Sequence, residues 1–111
     1  MRVFNLSKIK LLEILERFDR SLTVRQIAVN TGLTYGYVRS RCYDFTRYKH
    51  KLLVRRVQAG MHGPVYAYQL SANGRARLRW FEEMQPDLYD RAIAEVNEYR
   101  QATLRAREHV E

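Results

Sequence analysis

Between Thr34 and His50 the chain sets Tyr35, Gly36, Tyr37, Arg39, Ser40, Tyr43, Arg47 and His50 among Val38, Cys42 and Phe45. At that spacing these residue types are suited to recognition rather than bond-breaking. An arginine fork matches guanine O6/N7 or phosphate oxygens, a serine hydroxyl donates or accepts, and tyrosine touches a phosphate or a thymine methyl. Glycine lets backbone approach closely. On a helix turning ~100° per residue, Val38, Cys42 and Phe45 fall near one line. Gly36, Arg39, Ser40, Tyr43, Arg47 and His50 gather on the opposite side. One side can dock the helix while the other meets a partner. The plain alternative is a solvated face, with Gly36 merely a poor helix former.

The charge pattern favours the partner. The 111 residues carry a net charge of +8. Residues 1–80 hold 16 Lys/Arg against 4 acids, a net of +12, and residues 81–111 hold 4 Arg against 8 acids, a net of −4. Between Val24 and Trp80 the only acid is Asp44. Such a field attracts polyanions and is screened by salt.

The elements that must position this face follow from periodicity. Leu11, Ile14, Leu15 and Phe18 form one stripe, predicting a helix from about Lys8 to Arg20 with Ser7 as its N-cap. Thr23 and Gln26 have capping-box spacing, and Leu22 and Ile27 that of a hydrophobic staple, so a second helix starts there with Val24, Ile27 and Ala28 inward. Asn30-Thr31-Gly32 ends it, with Gly32 free to turn left-handed. Thr34 caps the third helix, which runs to about His50. Residues 52–58 and 65–70 read as strands of a hairpin joined by a longer loop over 59–64. In the second strand Tyr66, Tyr68 and Leu70 share a face toward the core. Arg55 and Arg56 point opposite ways, so only one need meet a ligand. Ser71 caps a fourth helix, about 72–84, burying Leu78, Phe81 and Trp80. Pro86 opens a fifth, roughly 87–110. Its Tyr89, Ala92, Val96, Tyr99, Thr103, Ala106 and Val110 keep a weak a/d spacing that reads as an intermolecular or domain-covering helix. The division expected is residues 1–84 as one domain and 85–111 as a C-terminal dimerisation helix.

The stretches TVRQIAVNTGLTYGYVRSRCYDF and LLVRRV…VYAYQLSANGRARL together resemble the winged helix-turn-helix transcription regulators, broadly the MarR-like and PadR-like ones. Ala28 and Gly32 sit where close helix packing and the turn belong, and Leu33 plugs that turn. Arg41 departs from the pattern, since an aliphatic residue commonly stands there and Cys42 takes its role instead. The resemblance covers about residues 7–82. It implies a mainly α fold with a small β-hairpin, a winged helix-turn-helix followed by a long C-terminal helix. It also implies a recognition helix in the major groove and a wing on the backbone or minor groove. The candidate DNA-binding residues are therefore Thr34, Tyr35, Gly36, Tyr37, Arg39, Ser40, Tyr43, Arg47, Arg55, Arg56 and His62.

Other chemistries find no support. His50, His62 and His109 are scattered and lack zinc-ligand spacing with Cys42. No phosphate loop or nucleophile elbow occurs. Asp44 has no carboxylate partner nearby for acid–base work. The expectation is a non-enzyme with no cofactor and no metal. With one cysteine, no signal peptide and no apolar run of membrane length, it is expected to be cytoplasmic. The leading function is a sequence-specific, homodimeric regulator of transcription that binds double-stranded DNA. The alternatives are an architectural DNA-binding protein of low specificity and a winged-helix protein-interaction module.

Overall fold

The computed structural model describes residues 3–47 and 51–110. Five helices and three strands follow in the order α1 (Val3–Phe18), β1 (Leu22–Thr23), α2 (Val24–Thr31), α3 (Tyr35–Arg47), β2 (Leu53–Gly60), β3 (Gly63–Leu70), α4 (Ala72–Met84) and α5 (Pro86–Val110). The chain is mainly helical, with one small antiparallel sheet of order β1-β3-β2 and a long C-terminal helix.

α1 is the central helix. Leu6, Ile9, Leu11, Leu12, Ile14 and Leu15 are all buried, so it is apolar around most of its girth, as a helix covered on several sides must be. It begins at Val3, before Ser7, which therefore lies inside the helix and does not cap it. Burial of Leu6 and Ile9 extends the helix past the local cap signal. At the other end it stops at Phe18, short of Arg20, and Asp19 turns the chain with φ 52.

The start of α2 follows local chemistry. Thr23 Oγ1 accepts from the Gln26 amide at 3.2 Å, while Gln26 Oε1 accepts from the Thr23 amide at 2.9 Å. Leu22 and Ile27 are buried beside this box. Gly32 closes α2 in the left-handed conformation, φ 79, donating its N–H to Ala28 O at 3.0 Å. A Cβ there would stand 2.9 Å from Tyr99 Cδ1, because α5 lays that ring on the turn.

Leu22 and Thr23 also form β1, pairing with Tyr68 and Ala67 of β3. The hairpin therefore gains a third strand that propensity does not announce. Its two long strands pair in register from Leu53↔Leu70 to Gly60↔Gly63. Only Met61 and His62 lie outside them, so the longer loop expected over 59–64 is replaced by a tight turn. The positive φ of the connection, 119, falls on Gly63, just after its two central residues.

α4 has the expected span and cap, with Ser71 Oγ accepting from the Gly74 amide at 3.0 Å. Leu78 and Phe81 are buried, but Trp80 is exposed, its ring edge-on to Phe81 at 5.2 Å. Trp80 lies one residue before Phe81, about 100° round the helix, and so off the buried stripe.

α5 packs on α1, α2 and α4. Of the two roles expected for the α5 spacing, Tyr89, Ala92 and Val96 take the domain-covering one and are buried within this chain. Beyond them Tyr99 is partly exposed, Thr103 is half-buried and Ala106 is exposed, so the helix outruns the core. The Val110 side chain, Lys49, His50 and the stretch of the third helix expected over 48–50 lie outside the described residues.

Candidate nucleic-acid interface

α3 is held from one side only. Val38 and Cys42 are fully buried, and Phe45 packs against the same core. Burial pushes the Cys42 thiol up to about 12, so it packs as a small apolar group and lacks the lowered pKa of a redox sensor. Thr34 Oγ1 accepts from the Tyr37 amide at 3.2 Å, so that hydroxyl is engaged in capping.

The opposite side of α3 is open. Tyr35, Gly36, Arg39, Ser40, Tyr43 and Arg47 are exposed, and a Cβ on Gly36 would meet nothing within 4 Å. Arg47 lies over the Tyr43 ring at 4.8 Å, an arrangement that keeps a cation extended without neutralising it. Tyr37 turns the other way. It is half-buried against the core, and burial raises its hydroxyl pKa.

Arg41 belongs to the flank. Its guanidinium meets Asp44 at 3.0 Å and lies 5.8 Å from the Tyr37 ring centre. The only acid between Val24 and Trp80 is thus engaged by a residue outside the open face. Arg41 Nε is buried without a hydrogen-bond partner among the described residues. The Arg41 charge is thus tied along its own helix.

The hairpin borders this face. Arg55 stacks on the Tyr66 ring at 4.3 Å, on the sheet side shared with Tyr68. Burial pushes the Tyr68 hydroxyl above the usual phenol range, while the Arg55 and Arg39 cations pull it back. Arg56 projects from the other sheet face, its Nε 3.4 Å from Gln69 Oε1. Tyr66 shares the core-directed side with Tyr68 and Leu70, but it lies past the core's edge and is exposed. His62 is exposed at the hairpin tip, away from the cluster formed by Arg39, Arg55 and Tyr68.

Two clefts flank α3. One of about 620 Å³ runs between its C-terminal half, β2 and the start of α4, with Arg47, Lys51, Arg55 and Asn73 in its wall. The other, about 350 Å³, lies between α3, the start of α2 and β3, and brings Arg25 and Tyr35 beside Arg39 and Tyr66. Sequence reasoning alone misses Arg25, Lys51, Tyr66, Tyr68 and Asn73 as members of this surface. For Arg25 a signal exists, since it lies within the capping box in the first turn of α2, and a helix N-terminus with nearby cations is a place for phosphate.

Among the described residues, no carboxylate pairs with Arg25, Arg39, Arg47 or Arg55, and no group of three or more His, Cys, Asp and Glu could hold a metal. No helix of the described residues is long and apolar enough to cross a membrane. Comparison with family models, curated proteins and solved structures returns no match to this chain.

Proposed function

We propose that this protein is a winged helix-turn-helix regulator that binds double-stranded DNA sequence-specifically. α3 lies in the major groove, and the β2–β3 wing lies on the backbone and adjoining minor groove. The observation that carries the reading is the one-sided docking of α3. Its inner line packs into the core, Val38 and Cys42 fully buried, while its outer face and the bordering wing expose arginines with no acid among them. Arg39 and Ser40 near the exposed N-terminal half read base edges, and Arg25, Arg47, Lys51 and Arg55 set register on phosphates. Selection from random duplex DNA at physiological salt tests this. One enriched motif bound about a thousandfold more tightly than random duplex supports base reading. Binding without any enriched motif refutes it.

The second reading is an architectural protein that binds duplex with little sequence preference. It is favoured by the outer half of the wing, which carries no Lys or Arg and exposes apolar side chains.

In either case the active form is a homodimer joined through α5. The buried first half of that helix leaves Leu104, beside Val29 of α2, and the exposed part of Tyr99 as the apolar groups for a second copy. Leu104→Glu is expected to give a monomer by sedimentation at micromolar concentration. A wild-type chain that already sediments as a monomer there removes the dimer.

A further inference from the structure

The hairpin changes character along its length. At its root Leu53, Leu70 and Tyr68 are buried, and Arg55 stacks on Tyr66. From Val57 to Val65 there is no Lys or Arg, and His62 is the only titratable side chain. Val57, Met61, Val65 and Tyr66 are exposed, and Met61 is 93% accessible, the most exposed large apolar side chain described.

Turn chemistry does not explain a methionine there. Two-residue turns favour Asn, Asp and Gly at their centre. Here the positive φ is taken by Gly63, and neither Met61 nor His62 is among the residues with positive φ. Any polar residue would serve the turn and avoid the exposure.

The tip is also thin. Gly60 and Gly63 face each other across the last rung, so both strands are bare backbone there. A Cβ on Gly60 would collide with Val65 Cγ2 and Gly63 O. The ribbon narrows to backbone and then projects the flexible Met61 thioether beside the His62 ring. The minor groove is about 6 Å wide, and proteins that enter it drive apolar side chains such as Met between base steps. A tip built to lie along phosphates would carry cations instead.

We infer that Met61 is an apolar wedge that enters the minor groove and unstacks a base step, so that the protein bends the duplex it binds. The cations at the hairpin root, Arg55 with Arg39 of α3, hold the polyanion while the tip, which has no Lys or Arg, makes the insertion. Deformability of the inserted step then contributes to sequence preference without a base hydrogen bond, pyrimidine–purine steps being the easiest to open.

This rests on the duplex-binding reading, and the test separates the two. The probe is the tightest duplex from the random selection. It carries 2-aminopurine in place of each adenine in turn, on either strand, and energy-transfer dyes at its ends. Wild type is expected to raise the 2-aminopurine fluorescence at one step and to shorten the end-to-end distance. Met61→Ala should lose both signals while still binding, with affinity lower by about tenfold. Met61→Leu should restore them. Met61→Lys should bind at least as tightly as wild type yet leave the duplex straight. Straight DNA under bound wild type, or unchanged bending by Met61→Ala, overturns the wedge and leaves duplex binding standing. A loss of dimerisation in Met61→Ala with bending intact assigns the tip to a second copy and also overturns the wedge. No binding of wild type to any duplex at low salt removes both readings.

Discussion

Arginines on the two sides of this molecule live differently. Of the seven ion pairs among the described residues, six join groups on α1, α4, α5 or the turn after α1. There Arg17 meets Glu13, Arg75 meets Asp19, Arg79 meets Glu16 and Glu82, and Arg91 meets Glu95. On the α3 and hairpin side the single pair is Arg41–Asp44. Arg47 and Arg55 rest on tyrosine rings, and Arg25 and Arg39 make no ion pair among the described residues. The same residue type is a surface tie on one side and an unneutralised field on the other. Composition reports the sum, and only the fold shows that every ion-paired acid but Asp44 among the described residues lies on the far side.

The comparison breaks most clearly in a triple variant. Arg39→Ala with Arg47→Ala and Arg55→Ala should lower duplex affinity by two orders of magnitude or about 3 kcal/mol. It should reduce the salt slope by about 0.9 for each phosphate no longer neutralised, and it should leave the melting temperature unchanged. Fluorescence anisotropy across a salt series, paired with calorimetry, reads all three. A fall in melting temperature instead would mean these arginines support the fold. Next comes Arg39→Ala alone, expected to cost about 1–3 kcal/mol at one base pair of the selected site and little on random duplex. Equal losses on both sequences would make Arg39 a phosphate ligand. The smallest effect is expected on the other side. Arg79→Ala removes two exposed pairs and should cost below about 1 kcal/mol of stability by denaturant titration, with no change in DNA affinity. A DNA defect there would show that the divide is not functional.

How much of this is legible in the sequence depends on how local each signal is. The α2 cap and Gly32 are readable because the box and the turn are set within a few residues. The inner line of α3 is readable because three apolar residues at helical spacing need no tertiary context. β1 is not, because Leu22 and Thr23 owe their strand pairing to β3, more than forty residues away. Trp80 is misplaced by pattern because α4 has an apolar doublet, and only packing decides which member is covered. The seam on α5 is real as a period, but periodicity names a buried face without naming what buries it. Alternation sends Arg55 and Arg56 to opposite faces, while the side turned toward α3 depends on the register with β3. The pairing of Arg41 with Asp44 has the i,i+3 spacing that allows it, and tertiary packing decides that Arg41 leans to that flank.

The seat of Tyr99 on Gly32 has a consequence for suppressor genetics. Gly32 is forbidden a side chain twice, by its φ of 79 and by the ring that covers it. A second-site Tyr99→Ala change can lift the steric ban but not the conformational one, which alone is worth about 1–2 kcal/mol for an L-residue. Intragenic suppressors of Gly32→Ala at position 99 should therefore be partial, and full reversion should come only through glycine itself. Selection on the turn before α3 is in this way transmitted to a residue far downstream in the chain, so the C-terminal helix and the α2–α3 pair are constrained to change together.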